Sequence, residues 1–396
     1  MIQLFLNGLG ASTGAGLTYL FNVVPQLSAN TAARVTLAVQ PQLRPQFDRF
    51  RDVSVIDANP PASTAARFWY EQRKLPELIR QSGADVLISA GNFALRNSPV
   101  PQILLSGNSL YTSSDFSRDL WSRAEIGMLL DTSIKGFFAK KSLEWADWTV
   151  APSQAFADEL ARWTGQKAVG IHHGFDHELF FRDPSPLAED VLRKLTDADD
   201  SLKLLFVSHY NYYRNFETLF RALPLIREKL GRKVRLFLTC KLQEGANPGT
   251  YKTGRASELI EQLPASDEIV QLGTIPYRSL HHLYRACDIY VTPAYTETFA
   301  HPLVEAMASG LPIVASDLVV HREVTAGSAC FFPRFSSEQL AEWVLRLAPD
   351  IELRRTLSAA AKRRALDFSW RAHVSKLLEL AASIQQRPDA KAATAA

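Results

Sequence analysis

The stretch AYTETFAHPLVEAMASGLPIVAS, Ala294 to Ser316, holds two glutamates, Glu297 and Glu305, with seven residues between them. Glu305 sits among Pro302, Leu303, Val304, Ala306 and Met307, apolar company for a carboxylate. Pro302 suits the first turn of a helix, where a missing N–H costs nothing, and Gly310 suits its end. The helix then starts near Phe299–Pro302, with free N–H groups and the positive end of the helix dipole, a ready anion site. Glu297 precedes that point and Glu305 lies one turn beyond it, so two carboxylates flank a phosphate position. A carboxylate takes two neighbouring hydroxyls of a sugar diol, and a nucleotide sugar has diols on both sides of its diphosphate. The bland alternative is a solvated helix residue and an ordinary loop charge.

The elements that would position these residues alternate along the chain. Apolar runs at 2–6, 34–39, 53–57, 85–90, 101–106, 148–153 and 168–173 read as strands, with helices such as 15–28, 64–82 and 120–145 between them. A polar passage at 180–203 follows, in which 186–195 has the pattern of a short helix. Strand-like runs then resume at 202–208, 233–240, 268–273, 288–293, 311–316 and 329–332. Apolar strands joined by helices predict parallel sheets covered on both faces. The fold class is therefore α/β, with two doubly wound Rossmann-like domains, 1–180 and 181–368. A last helix at 369–386 precedes a tail at 387–396 whose composition predicts disorder. Ligands of such sheets bind outside the carboxyl ends of the strands, so the loops after each strand are the places to look.

Composition narrows the function classes. A chain of 396 residues with 46% apolar content is long enough for two cores. A net charge of +3 without a basic stripe argues against nucleic acid. Three cysteines, Cys240, Cys287 and Cys330, fit no disulfide framework. The opening MIQLFLNG lacks a basic segment before its short apolar run, and no run is long enough to span a bilayer. The expectation is a cytoplasmic protein, with room for peripheral contact at the inner face of a membrane.

The pattern Glu, seven residues, Glu, then Ala-Met-Ala-x-Gly-x-Pro resembles the signature of retaining family 4 glycosyltransferases of the GT-B fold. The whole segment from GTIPYRSLHHLYRACDIYVTP to SACFFP is similar to that family, and WADWTVAPSQAFADEL with IHHGFDHELF resembles the hinge side of its first domain. The likeness covers most of 145–385 and is weaker over 1–144. It implies that Glu297 contacts the donor hexose and phosphate region, that the backbone of Phe299, Ala300 and His301 cradles the diphosphate, and that Glu305 holds the ribose. It also implies a cleft between the two domains, a C-terminal helix crossing back to the first, and retention at the anomeric carbon without a protein nucleophile. No cofactor and no metal are expected. The partners implied are a nucleotide sugar and a glycan or lipid-linked acceptor.

The match departs from the family after the strand at 202–208. Ser208-His209 stands where the family carries Gly-Arg, and Arg214 stands where it carries Lys. Arg214 can clamp phosphate bidentately. His209 either supplies one neutral hydrogen bond, is protonated beside a diphosphate, or packs between Tyr210 and Tyr213. In the first half, LNGLGASTGAGLTYL lacks the dinucleotide spacing G-x-G-x-x-G. Its Gly14 and Gly16 resemble the glycine loop that approaches the donor in GT-B proteins. Asn108, in LLSGNSLYTSSDF, is a candidate hydrogen-bond partner for a sugar hydroxyl. The cluster His172, His173 and His177 has no accompanying metal-ligand pattern. Two other functions stay open: a nucleotide-sugar epimerase or hydrolase of the same fold, and a binding subunit that has lost catalysis.

Overall fold

A computed structural model describes residues 1–11, 14–264 and 266–385. The tail expected at 387–396 lies outside these residues, as do Ser12 and Thr13 of the glycine loop. By contacts the chain forms two compact units. The first takes in Met1–Thr112, Glu125–Gly174 and the chain from Ser369 onward. The second takes in Ser113–Ala124 and Phe175–Phe368.

The first unit holds seven parallel strands: β1 (Ile2–Asn7), β2 (Ala33–Val39), β3 (Val53–Asp57), β4 (Val86–Ala90), β5 (Gln102–Leu105), β6 (Trp148–Ala151) and β7 (Ala168–Gly170). Their order in the sheet is β3-β2-β1-β4-β5-β6-β7. The second unit has β8 (Leu202–Phe206), β9 (Val234–Leu238), β10 (Ile269–Gln271), β11 (Ile289–Thr292), β12 (Ile313–Ser316) and β13 (Cys330–Phe332), ordered β10-β9-β8-β11-β12-β13. All thirteen strands lie where apolar runs predict them, because a strand buried on both faces must be apolar nearly throughout. The two sheets confirm the doubly wound α/β class. Each has a point where the strand order reverses: between β1 and β4 in the first, between β8 and β11 in the second. Loops diverge there and leave a crevice for a ligand.

Two elements differ from expectation. The single helix expected at 120–145 is two, Ser114–Ser122 and Ile126–Trp145. Ala124 between them is left-handed, with φ of 55°. Arg123 caps the break by reaching back to Asp119 and out to Glu217, at 2.7 Å each. The second is the helix His177–Arg182, which runs into the passage expected at 180–203; the short helix expected at 186–195 is present as Glu189–Thr196. Asp176 caps the helix His177–Arg182, and Phe180 is fully buried against Tyr277 and Tyr284.

The last helix, Trp370–Gln385, packs on the helix Gly14–Ser28 of the first unit. A buried polar joint fixes it. His373 Nδ1 donates to the His172 carbonyl at 2.9 Å, and its Nε2 lies 2.9 Å from the Tyr19 hydroxyl. Burial pushes His373 down to about 4, so the neutral imidazole donates on one side and accepts on the other. Gly174 passes so close that a Cβ there would lie 2.1 Å from the Trp370 nitrogen. Backbone cannot swing aside as a side-chain end can. Gly174→Ala is therefore expected to lose about 3 kcal/mol or more in urea unfolding; an unchanged midpoint would mean the return helix is not held at this contact.

Candidate functional site

The loops that follow β8 and β11 build the site in the second unit. After β8 the chain runs through Ser208, His209, Tyr210 and Asn211 into a short 3-10 turn, Tyr212–Arg214. Asn211 Oδ1 accepts the Arg214 backbone N–H at 3.1 Å and caps this turn. Asn215 follows in the left-handed region, φ 54°, and donates from Nδ2 to the Pro293 carbonyl at 3.0 Å. The Tyr295 N–H donates to the Tyr213 carbonyl at 3.0 Å. The two loops are thus laced together by one side-chain and one backbone hydrogen bond.

Arg214 and Glu297 meet at this junction as an ion pair with side chains 17% and 9% exposed. Arg214 Nε is buried and donates to no protein atom. A guanidinium with a buried, unused donor is set for an anion in front of it. The helix His301–Ser309 begins beside it. Its N-cap, Ala300, has φ 65° and ψ 66°, a left-handed conformation that a non-glycine residue adopts at a cost of about 1–3 kcal/mol. Phe299 and Ala300 are buried and His301 is partly so. Burial first, and the Arg214 charge second, push His301 down to about 4.

Glu305 lies one turn into the helix, 6% exposed. The Tyr284 hydroxyl donates to its Oε2 at 2.9 Å. Burial raises its pKa from 4.5 to about 7 against the opposing effect of that hydrogen bond. A cavity of about 250 Å³ opens beside it, lined by Ser208, His209, Arg214, Thr239, Pro302 and Glu305 among others. The structure therefore brings Ser208, His209, Arg214 and Glu305 to one cavity, with Glu297 paired to Arg214 at its edge. His209 is largely exposed at the rim, not packed between Tyr210 and Tyr213, since Tyr210 points into the core. Partial burial and the Arg214 charge lower its pKa, so here it is a neutral imidazole.

The first unit has its own cavity, of about 310 Å³, at the reversal between β1 and β4. Gly10 and Gly16 line it, with Arg67, Asn92, Tyr111 and Lys135. A Cβ on Gly16 would lie 3.2 Å from Ala11, whereas one on Gly14 meets nothing; Gly14 instead carries a left-handed turn, φ 62°. Asn108 is not in that lining. Its Oδ1 accepts the Leu110 N–H at 3.1 Å and caps a turn. Arg67, Lys135 and Asn92 escape a sequence reading because ordinary helix cations and a loop amide carry no spacing signal. His172, His173 and His177 have structural partners: His173 packs with Tyr19 and Trp370, and His177 Nε2 meets the Ala365 carbonyl at 3.0 Å. Among the described residues no His, Cys, Asp or Glu cluster is arranged for a metal, and no helix is long and apolar enough to cross a membrane.

Residues 189–364, which carry the β8 and β11 loops, match the family glycosyl transferases group 1. The match lies within the second unit and covers most of it. Curated relatives match about half of the chain. A D-inositol 3-phosphate glycosyltransferase of Salinispora arenicola is 37% identical over 195 residues, 48% of this chain and 42% of that protein. Another, of Kineococcus radiotolerans, is 27% identical over 252 residues, 60% of this chain and 57% of that protein. The chain thus spans about half the length of the curated relatives it matches. Solved GT-B structures are similar over nearly all of it. Sucrose-phosphate synthase from Thermosynechococcus elongatus has a TM-score of 0.73 at 18% identity, covering 97% of this chain and 99% of that one. Anabaena Alr3699/HepE in complex with UDP-glucose has a TM-score of 0.70 at 16% identity, covering 97% and 100%. The fold is GT-B in both units.

Glu305 gives the second unit a measurable signature. Folded, it keeps its proton up to about pH 7; unfolded, it loses it near 4.5. Between these values the folded state holds the extra proton, so stability falls as pH rises, and the full penalty stands above the window. Glu305→Gln should exceed wild type by roughly 3 kcal/mol at pH 8 in ligand-free urea titrations, and by little at pH 4.5. A difference constant across that range would mean Glu305 does not ionise in a buried site.

Proposed function

We propose that this chain is a retaining glycosyltransferase that moves a hexose from a nucleoside-diphosphate sugar to a hydroxyl of a glycan or lipid-linked acceptor. The observation that carries the reading is the pairing of a buried Glu305 with an Arg214 whose Nε has no protein partner, on one cavity. An apolar core has no use for either group alone. Together they match a ribose diol and a diphosphate. The group 1 match within the second unit and the UDP-glucose in the Anabaena structure support the same donor class.

In this reading the diphosphate arrives in front of Arg214 and the N-terminus of the helix His301–Ser309. Phosphate competes with Glu297 for the guanidinium, and Glu297 turns to the hexose hydroxyls. His209 donates one neutral hydrogen bond, and the Ser208 region approaches the phosphates through its backbone. The bond from the anomeric carbon to the β-phosphate oxygen breaks, and charge grows on that phosphate. Arg214 and the helix amides stabilise it, the largest catalytic term in such a transfer. The acceptor oxygen bonds the anomeric carbon on the same face, and its proton passes to the departing phosphate. The acceptor is assigned to the first-unit cavity, where Gly16 lets backbone come close. No metal is required by this scheme.

Calorimetry with UDP, GDP, ADP and dTDP is expected to show one preferred nucleotide. A hydrogen bond to a charged group is worth about 1.5–3 kcal/mol, so Glu305→Ala should weaken it roughly ten- to a hundred-fold. Glu297→Ala should spare the bare diphosphate and lower turnover. Equal losses in both variants would contradict the two roles. NMR of the new linkage should show the donor's anomeric configuration, and an inverted product would overturn the mechanism. Release of free sugar or an epimer without any acceptor would point to the epimerase or hydrolase reading.

A further inference from the structure

The segment Ser113–Ala124 leaves the chain of the first unit after Thr112, folds onto the second, and returns at Glu125. Its helix, Ser114–Ser122, ends in Arg123. Arg123 is 9% exposed and divides its donors between two carboxylates. Its Nε donates to Asp119 Oδ1 and its Nη2 to Glu217 Oε1, both at 2.7 Å. Its guanidinium carbon lies over the ring of Tyr212, 4.2 Å from the centroid. Asp119 uses its second oxygen elsewhere: Oδ2 accepts the Tyr295 hydroxyl at 2.9 Å. Phe116 meets the edge of Tyr213 at 6.4 Å. Tyr212 and Tyr213 immediately precede Arg214, and Tyr295 lies two residues before Glu297.

We infer that Arg123 and Asp119 form a bracket that positions Arg214 and Glu297 for the donor diphosphate. One side of the bracket grips the Tyr212–Arg214 turn and the other grips the Tyr295–Glu297 loop. A core needs neither charge for packing, since apolar side chains of the same volume fill such a space at lower cost. What the charged pair adds is direction. Each donor and acceptor fixes one backbone segment, and the two segments are those whose spacing decides whether a diphosphate fits between Arg214 and the helix N-terminus. Arg123 and Asp119 touch neither cavity nor ligand position, so they are positioning residues. The inference rests on the donor reading proposed above.

The strap also carries a control. Asp115 pairs with Arg334 at 2.7 Å; this ion pair bonds to neither loop, although Phe335 next to it packs on Tyr295. Arg123→Lys and Tyr295→Phe are compared with Arg334→Ala, each by thermal unfolding and by calorimetric titration with UDP, or with GDP, ADP or dTDP if wild type prefers one. Loss of one charged hydrogen bond of the bracket is expected to weaken nucleotide binding about ten-fold. It should raise KM for the sugar nucleotide more than it lowers kcat. Arg334→Ala should shift the melting temperature and leave the nucleotide Kd unchanged. If all three variants change Kd in step with melting temperature, the strap is structural and the inference is overturned. If Arg123→Lys and Tyr295→Phe bind nucleotide as wild type does, it is likewise overturned. Wild type that binds no nucleotide sinks the donor reading, and this inference with it.

Discussion

Arg214 and Glu297 are 83 residues apart in the chain and meet because β8 and β11 are neighbours in a parallel sheet. Everything at the site follows from that adjacency. A parallel sheet sends every strand's carboxyl end to one edge, and the reversal of strand order between β9-β8 and β11-β12 parts the loops there. The loop after β8 delivers a cation and the loop after β11 delivers an anion and a helix N-terminus. The cation–anion pair joins the two loops, and in the proposed reading a diphosphate opens it. In that reading Glu297 exchanges Arg214 for a sugar hydroxyl.

Glu305 is governed by a different constraint. It stays buried on a helix whose other side chains pack the core, and burial keeps it near half-protonated at neutral pH. A ligand that offers two hydroxyls replaces the water the carboxylate has lost. The site carries two local costs, a desolvated acid and the left-handed Ala300 at the helix start.

Much of this was legible in the residues. The strands were, because doubly covered strands must be apolar. Glu305 was, because a charge among Leu303, Val304, Ala306 and Met307 demands a reason. The family resemblance pointed to Arg214 and to the backbone of Phe299–His301. The rest depends on tertiary pairings that leave no local trace. Arg123 finds Glu217 at a separation of 94 residues and Asp119 finds Tyr295 at 176. A helix pattern running from 120 to 145 hides the break at Ala124, since Arg123 and Ala124 are both good helix formers. The neutral state of His209 likewise depends on its partial burial and on the nearby Arg214 charge, not on its place in the chain. Asn108 looked like a sugar ligand only because its role as a turn cap cannot be told from spacing alone.

The most direct test is a crystal structure of the full chain with its preferred nucleoside diphosphate. The account predicts phosphate oxygens within hydrogen-bond distance of Arg214 Nε and of the amides at Ala300–His301, the ribose on Glu305, and the Arg214–Glu297 pair opened. A nucleotide bound with that pair still closed, or seated away from Glu305, would contradict it.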